Sequence, residues 1–495
     1  MTRSLSVVII GAGFGGIAAA IAAREAGVED ITLLERADRV GGVWHHNTYP
    51  GIACDVPSHL YEFSFAPNPD WSRRYSPGHE IRDYAERLAR DHGVLDRVRF
   101  GAAVEHAAFD DDSRRWSVRL AGGETLTADV VITAVGQLHE PAVPALPGIE
   151  TFAGRAFHSA EWDHDHDLRG RRVAVVGTGA SAIQFVPRVA EQAAATTVFQ
   201  RSAPWVIPKA DAALGSRSRA LYRRVPLPRV YRRLYWRLFE SLVPLFTLAP
   251  ERRGRVVATA VRGLANAQRH IQLRGDRALL AATRPTSEPG CKRLCITSEW
   301  YPTMRRPDVE LITEPIREVV PEGVVGADGT LHRADTIIYG TGFRASELLA
   351  PMTLTGRGGV TLRDAWSRGA EAFLGLTIPA FPNLFLVYGP STNHGTGSVI
   401  ATHEAQMAYL RDALRLLSDG NAEVLEVREV AHARFQAEMA ERTAKSVWAT
   451  GCSNWYVNAA GRVTNNWPGP NDEYRRRTAT LNEADYHREL PDPVA

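Results

Sequence analysis

Ser6-Val-Val-Ile-Ile-Gly11-Ala-Gly13-Phe14-Gly-Gly16 is a β-branched run that breaks into a glycine turn and then into an alanine-rich stretch reaching Ala26. In a G-x-G-x-x-G turn the first glycine permits the tight bend. The second lets the backbone approach a pyrophosphate, and the third allows close helix–strand packing. Gly11, Gly13 and Gly16 hold these places, and Phe14 opens the helix. Unpaired N–H groups and the dipole at a helix N-terminus favour an anion. Gly27 closes the helix, and Ile31–Leu34 reads as the next strand, ending at Glu35, 24 residues after Gly11. A carboxylate there accepts hydrogen bonds from a ribose and repels a 2′-phosphate, so this β-α-β unit suits FAD or NAD.

A second unit begins at Arg172. Val173–Val176 is its strand, Gly177-Thr178-Gly179-Ala180-Ser181-Ala182 its turn and Ile183–Ala193 its helix, with Thr196–Phe199 following. Ala182 takes the place of the third glycine, an accepted variant. Where the first unit has Glu35, this one has Arg201-Ser202. A guanidinium offers bidentate hydrogen bonds to a phosphate, so this site is expected to prefer NADPH. The plain alternative is a surface arginine after a strand. Each unit has a return strand with an acid before it and a small-residue turn after it, Asp129–Gly136 and Asp335–Gly342.

The fold expected is therefore α/β, with two dinucleotide-binding (Rossmann-like) domains and a helical insertion in the second. Residues 1–150 and 346–495 form a discontinuous FAD-binding domain, 151–207 and 291–345 an NADPH-binding domain, and 208–290 the insertion. Within the insertion Tyr231, Leu234, Tyr235, Leu238 and Leu242 recur at helical spacing, with Arg233 and Arg237 opposite. That pattern predicts a helix packed on its own protein with a solvated basic face. A helix lying on anionic lipid is the alternative.

The totals agree with an ordinary globular protein of two or three domains: 495 residues, 44% hydrophobic, 23% charged, formal net charge +2. That charge argues against a general nucleic-acid binder. No stretch approaches the roughly 18 apolar residues of a membrane span. Cys54, Cys291, Cys295 and Cys452 are too few and scattered for a disulfide framework, which points to a reducing cytoplasm. Cys291 and Cys295 have no second cysteine pair or histidine cluster beside them. A packing role is expected there rather than a metal site.

A chain that binds FAD and NADPH through separate folds is a flavoprotein with its own electron supply. A disulfide acceptor would need a redox cysteine pair close behind the first fold, and Cys54 stands alone. Oxygen is the other common acceptor. Two further stretches then carry a resemblance. Phe152-x-Gly154-x3-His158-x3-Trp162-Asp163 precedes the second glycine turn, and Gly41-Gly42-x-Trp44-x4-Tyr49-Pro50-Gly51-x3-Asp55 follows the first. Together with Asp335–Gly342, where Gly340 replaces a usual alanine, they resemble the signatures of the type I Baeyer–Villiger monooxygenases, in consistent order from residue 1 to about 345.

The resemblance implies an NADPH-dependent flavin monooxygenase that inserts one oxygen atom from O2 next to a ketone carbonyl, giving an ester or lactone. It implies that Lys292 contacts the 2′-phosphate with Arg201 and Ser202. Arg293 would sit over the flavin and stabilise its peroxide anion with the help of NADP+, and Asp55 would hold that arginine. Gly42, Val43, Trp44, Tyr61 and Val104 are expected along the flavin nucleotide, and Trp448 at the nicotinamide end. His158 reads as a linker position rather than a proton-transfer group. A fixed cation about 4 Å from a unit negative charge, at an effective dielectric of about 20, attracts it by about 4 kcal/mol before desolvation. The rival readings are an N- or S-oxidising flavin monooxygenase and a reductase or oxidase that releases hydrogen peroxide. The partner expected is a small hydrophobic ketone. The Gly/Trp-rich loops at Gly389–Gly397 and Thr450–Trp467 are expected to line its pocket.

Overall fold

A computed structural model describes residues 4–225, 227–451, 456–458 and 460–490. Ser6–Ile10 is the central strand of a parallel five-stranded sheet. It pairs with Asp30–Leu34 on one side and Val130–Thr133 on the other, with Val98–Arg99 and Leu384–Leu386 at the edges. The first helix, Phe14–Glu25, is alanine-rich because both its faces are covered. Ala18–Ala23 are buried, and the helix Val399–Ser418 packs against it. The C-terminal segment thus supplies both an edge strand and a covering helix to the sheet that the N-terminus begins.

The second sheet repeats the plan. Arg172–Val176 is flanked by Ala195–Phe199 and Thr336–Tyr339, with Val309–Ile312 and Arg155–His158 outermost, every pairing parallel. Its helix spans Ala182–Ala190. The acid before each return strand has the same structural job: Asp129 accepts from the N–H and hydroxyl of Ser6, and Asp335 from the N–H and guanidinium of Arg172. Each fixes the start of its sheet's central strand, at the end away from the glycine turn.

The insertion folds into the helices Ser216–Arg224, Leu227–Thr247, Arg252–Leu273 and Arg277–Ala282. Its long first arm is turned by roughly a quarter of a revolution from the predicted stripe. Leu234 and Leu238 are exposed beside Arg233 and Arg237, while Tyr235, Trp236, Phe239 and Val243 face inward. Polar anchors set this rotation. Arg232 donates to the Glu62 carbonyl and to Glu404, Trp236 Nε1 donates to Asp472 at 3.0 Å, and Glu240 accepts from Asn471. These three residues recur every four positions and hold one helical face against the protein, displacing the leucines outward.

Cys54 and Cys295 are buried free thiols, and Cys291 is buried and disulfide-bonded. Cys291 packs as expected, in the cluster with Phe246 and Trp448, but its sulfur is also covalently engaged, which the sequence reading did not expect. The scattered cysteines therefore give weaker support to a reducing compartment. No helix among the described residues is long and apolar enough to cross a membrane.

Candidate active site

The glycine turn of the first sheet leaves its helix N-terminus free. Gly13 caps Phe14–Glu25 with no side-chain hydrogen bond, so the first N–H groups remain available. Gly16 is obligatory for packing, since a Cβ there would lie 1.8 Å from the Gly11 carbonyl oxygen. Glu35 is buried, accepting from Ala12 N at 2.7 Å and Ala37 N at 2.9 Å. Each of its oxygens keeps a further lone pair for a ribose hydroxyl.

The run after Glu35 returns to this turn. Gly42 adopts φ +55, with its Cβ direction 3.1 Å from the Gly13 Cα. It caps the short helix Val43–His46, which carries Trp44. Trp44 Nε1 donates to Tyr61 Oη at 3.0 Å, with the two rings edge-on, and Phe14 meets Tyr61 edge-on as well. Burial raises the Tyr61 phenol well above its ordinary value, so it stays neutral. Val104 lies apart from Trp44 and Tyr61, half-buried against the Val8, Ile10 and Leu34 cluster, whose strands lead into Gly11 and Glu35.

Tyr49-Pro50-Gly51 bends as expected and docks on the second nucleotide fold. Tyr49 Oη donates to Gln184 Oε1 at 3.2 Å, and the Gln184 amide exchanges hydrogen bonds with the Ala53 backbone. A Cβ on Gly51 would lie 2.6 Å from the Gln184 carbonyl. Gln184 has no motif of its own and was invisible in the sequence reading.

Four residues further, Asp55 meets Arg293 across 238 positions of sequence. Arg293 Nε donates to Oδ2 at 2.7 Å and Nη2 to Oδ1 at 2.8 Å, a bidentate pair. The side chains keep 38% and 24% exposure, so the pair lines a cleft rather than a sealed core. The Asp55 charge raises the Arg293 guanidinium above its already high value. Burial opposes ionisation of Asp55, but the charge and hydrogen bonds of Arg293 outweigh it, and the carboxyl falls below its usual range. Lys209, over the Tyr75 ring, adds a second positive field at Asp55. Tyr388 and Tyr456 lie within electrostatic reach of Arg293, and burial holds both phenols neutral. Lys209, Tyr388 and Tyr456 were not singled out from the sequence. Tyr456 falls inside the Thr450–Trp467 loop expected to line the pocket, and Tyr388 directly precedes the Gly389–Gly397 loop.

At the second turn, Gly177 adopts φ +111 and Ser181 leaves the helix Ala182–Ala190 without a side-chain cap. Thr178 Oγ1 donates to the Ser202 carbonyl at 3.2 Å. Gly179, Ala180 and Ser181 form the open lip of the turn. The unusual Gly340 is explained by its surroundings: a Cβ there would sit 3.1 Å from the Ala182 Cβ and 3.3 Å from Phe185. Having alanine at the turn's third position thus goes with glycine in the return segment.

Lys292 Nζ donates to Ser202 Oγ at 2.7 Å, which draws it to the strand end that carries Arg201. Burial and the Arg201 charge lower the Lys292 ammonium. Neither cation has a carboxylate partner among the described residues. Two like charges held together without an acid are a destabilising arrangement that a phosphate relieves.

Trp448 is buried, stacked on Phe246 with centroids 6.0 Å apart, and flanked by Tyr456 and Cys291. Its indole N–H has no partner among the described residues. Residues 452–455 and 459 of the expected pocket loop lie outside the described residues. His158 ends the edge strand of the second sheet. Its Nδ1 accepts from Ala160 N, its ring abuts Phe343, and burial holds it neutral.

Both cofactors read from the sequence fit these residues. Two uncapped helix N-termini stand behind glycine turns, one beside Glu35, the other beside Arg201 and Lys292.

Over residues 4–217 the chain matches the family model of flavin-binding monooxygenase-like proteins. It is 43% identical to a Baeyer-Villiger monooxygenase of Streptomyces coelicolor, over 99% of this chain and 93% of that protein. Among solved structures it is similar to an oxidised steroid monooxygenase bound to NADP, with TM-score 0.84 and 30% identity over 96% and 97% of the two chains. It is also similar to OTEMO in complex with FAD and NADP, with TM-score 0.86 and 27% identity over 99% and 100%.

Proposed function

The chain belongs to the Baeyer–Villiger monooxygenases, among the flavin-binding monooxygenase-like proteins, and on that premise we propose how its own residues perform the reaction. The overall change is ketone + O2 + NADPH + H+ → ester or lactone + H2O + NADP+. One oxygen atom enters the bond beside the carbonyl carbon and the other leaves as water. FAD, when bound, supplies the two-electron relay between NADPH and O2.

Gly11, Gly13, Phe14, Gly16 and Glu35 hold FAD at the first turn, with Gly42, Val43, Trp44, Tyr61 and Val104 along it. Gly177, Thr178, Gly179, Ala180 and Ser181 receive the NADPH pyrophosphate. Arg201, Ser202 and Lys292 take its 2′-phosphate, and Trp448 stands at the nicotinamide end. The division into a discontinuous FAD domain, an NADPH domain and an insertion is supported by the two sheets and their strand order.

Arg293 supplies a fixed positive charge in the cleft. It stabilises negative charge as oxygen is activated and again on the carbonyl oxygen when the ketone is attacked. Asp55 orients the guanidinium in one plane and offsets the cost of an isolated charge in a partly dry site. Tyr388 and Tyr456, held neutral, add no negative charge of their own beside it. The observation that carries this reading is the bidentate Asp55–Arg293 pair facing the cleft. The expected substrate is a hydrophobic ketone.

The test is product analysis of the FAD-loaded enzyme with NADPH and a panel of cyclic, aryl and long-chain ketones, each beside a thioether and an amine. Ester or lactone as the main oxygenated product supports the reading. Sulfoxide or N-oxide as the main product, with no ester from any ketone, overturns it in favour of an N- or S-oxidising enzyme.

A further inference from the structure

The outer face of the insertion has no part in the chemistry above, and its composition is unusual. Half of the exposed large apolar side chains among the described residues fall between Leu221 and Ile271. On the helix Leu227–Thr247, Val230, Leu234 and Leu238 are 58%, 64% and 53% exposed, and Arg233 and Arg237 are interleaved with them on the same face. The preceding helix, Ser216–Arg224, adds exposed Arg217, Leu221 and Arg224. From Ala212 to Phe239 the sequence contains eight arginines and no aspartate or glutamate. Arg217, Arg224, Arg233 and Arg237 have no carboxylate within ion-pair reach among the described residues.

We infer that this face docks on an anionic lipid surface. Such a surface offers both things the face lacks: an apolar layer for the aliphatic side chains and fixed negative charge for the arginines. Helices of this kind lie in the interface, apolar groups in the headgroup–acyl boundary and long cations reaching back to the headgroups. A second copy of the chain fits worse. Closing this face on itself would set Arg233 and Arg237 near their counterparts with no acid from Ala212 to Phe239 to neutralise them. Nucleic acid would meet the arginines but leave the aliphatic side chains in water.

The rotation of the helix is what creates the face, and the inner anchors at Arg232, Trp236 and Glu240 hold it there without lipid. The same helix ends in Leu245 and Phe246, packed with Trp448 beside the Arg293 cleft. Docking therefore sets the site close to ketones dissolved in the bilayer, a consequence that rests on the function proposed above. The docking itself does not depend on it.

The experiment is flotation of the FAD-loaded enzyme with vesicles of phosphatidylcholine, with and without phosphatidylglycerol. Bound enzyme is read by flavin absorbance, and turnover of a water-soluble ketone is followed separately. The wild type should partition at least about tenfold more strongly onto the phosphatidylglycerol vesicles, and the preference should collapse at about 0.5 M salt. The pair Leu234→Gln with Leu238→Gln should lower that binding about tenfold or more, and Arg233→Gln with Arg237→Gln should abolish the anionic preference. Both variants should retain bound flavin and wild-type turnover. Equal wild-type partition onto the two vesicle types overturns the inference. So do double variants that bind like the wild type, or a stable dimer that needs Leu234 and Leu238. Wild-type retention on DNA without vesicle binding overturns it as well.

Discussion

The two glycine turns are nearly superimposable in their logic and opposite in their charge. Gly11 and Gly177 take the same left-handed backbone, φ +101 and +111, and at each a Cβ would strike the return segment, the Ala134 or Gly340 carbonyl oxygen. Twenty-four residues later the two diverge. Glu35 is buried and its carboxylate is tied to the backbone of Ala12 and Ala37. Arg201 is exposed and shares its strand end with Lys292, held there by Ser202. On the reading proposed above, backbone geometry makes each dinucleotide site and the charge gathered at the end of the second strand selects the dinucleotide.

The largest effect expected is at the basic end. Arg201→Ala combined with Lys292→Ala removes the two cations proposed to hold the 2′-phosphate. It should raise the KM for NADPH about 100-fold or more and leave the KM for NADH within about threefold. Steady-state kinetics with both cofactors measures it, and equal changes for the two would detach Arg201 and Lys292 from the 2′-phosphate. Glu35→Gln should weaken FAD retention about tenfold, read as flavin released on dilution, with the NADPH constant unchanged. An effect on NADPH alone would reverse the assignment of the two turns.

Smaller effects concern the seam between the folds. Tyr49→Phe deletes one neutral hydrogen bond to Gln184, worth about 1 kcal/mol. It should lower the thermal midpoint by a few degrees at most while both cofactor constants stay put. The Asp55–Arg293 pair adds a pH signature. The Asp55 carboxyl is depressed in the folded protein, so its stabilisation is fully present above the unfolded carboxylate value of about 4 and is lost as pH falls through the depressed value. The stability gap between wild type and Asp55→Asn should therefore narrow on acidification below about pH 4 and stay flat above about pH 5. Unfolding curves across that range read it directly, and a gap that widens towards acid would contradict the pairing.

The repeated units were legible because they obey local rules. A β-branched strand, a glycine turn and a helix of small residues leave a sequence trace within thirty positions, and the charge at the next strand end follows at fixed spacing. The Asp55–Arg293 pair has no local trace. It was reached through resemblance, because its halves lie 238 positions apart in the chain. Gln184 and Lys209 were missed for a related reason: each acts across a seam between segments that only the fold brings together. The insertion shows the opposite failure. Its leucines and tyrosines recur at helical spacing and invite one inward stripe. Arg232, Trp236 and Glu240 won the competition, because each found a specific polar partner on the body of the protein. Periodicity gives the helix, and its rotation was decided by hydrogen bonds to Glu62, Asp472 and Asn471.

The role of Arg293 is open to a decisive measurement. In Arg293→Ala, rapid-mixing absorbance follows flavin reduction by NADPH, and product analysis in the same preparation follows ester formed per NADPH consumed. The arrangement of Asp55, Arg293 and the two nucleotide sites predicts reduction within a few-fold of wild type and ester formation lost by about a thousandfold, with NADPH oxidation diverted to hydrogen peroxide. Ester formation that survives at the wild-type ratio would contradict it.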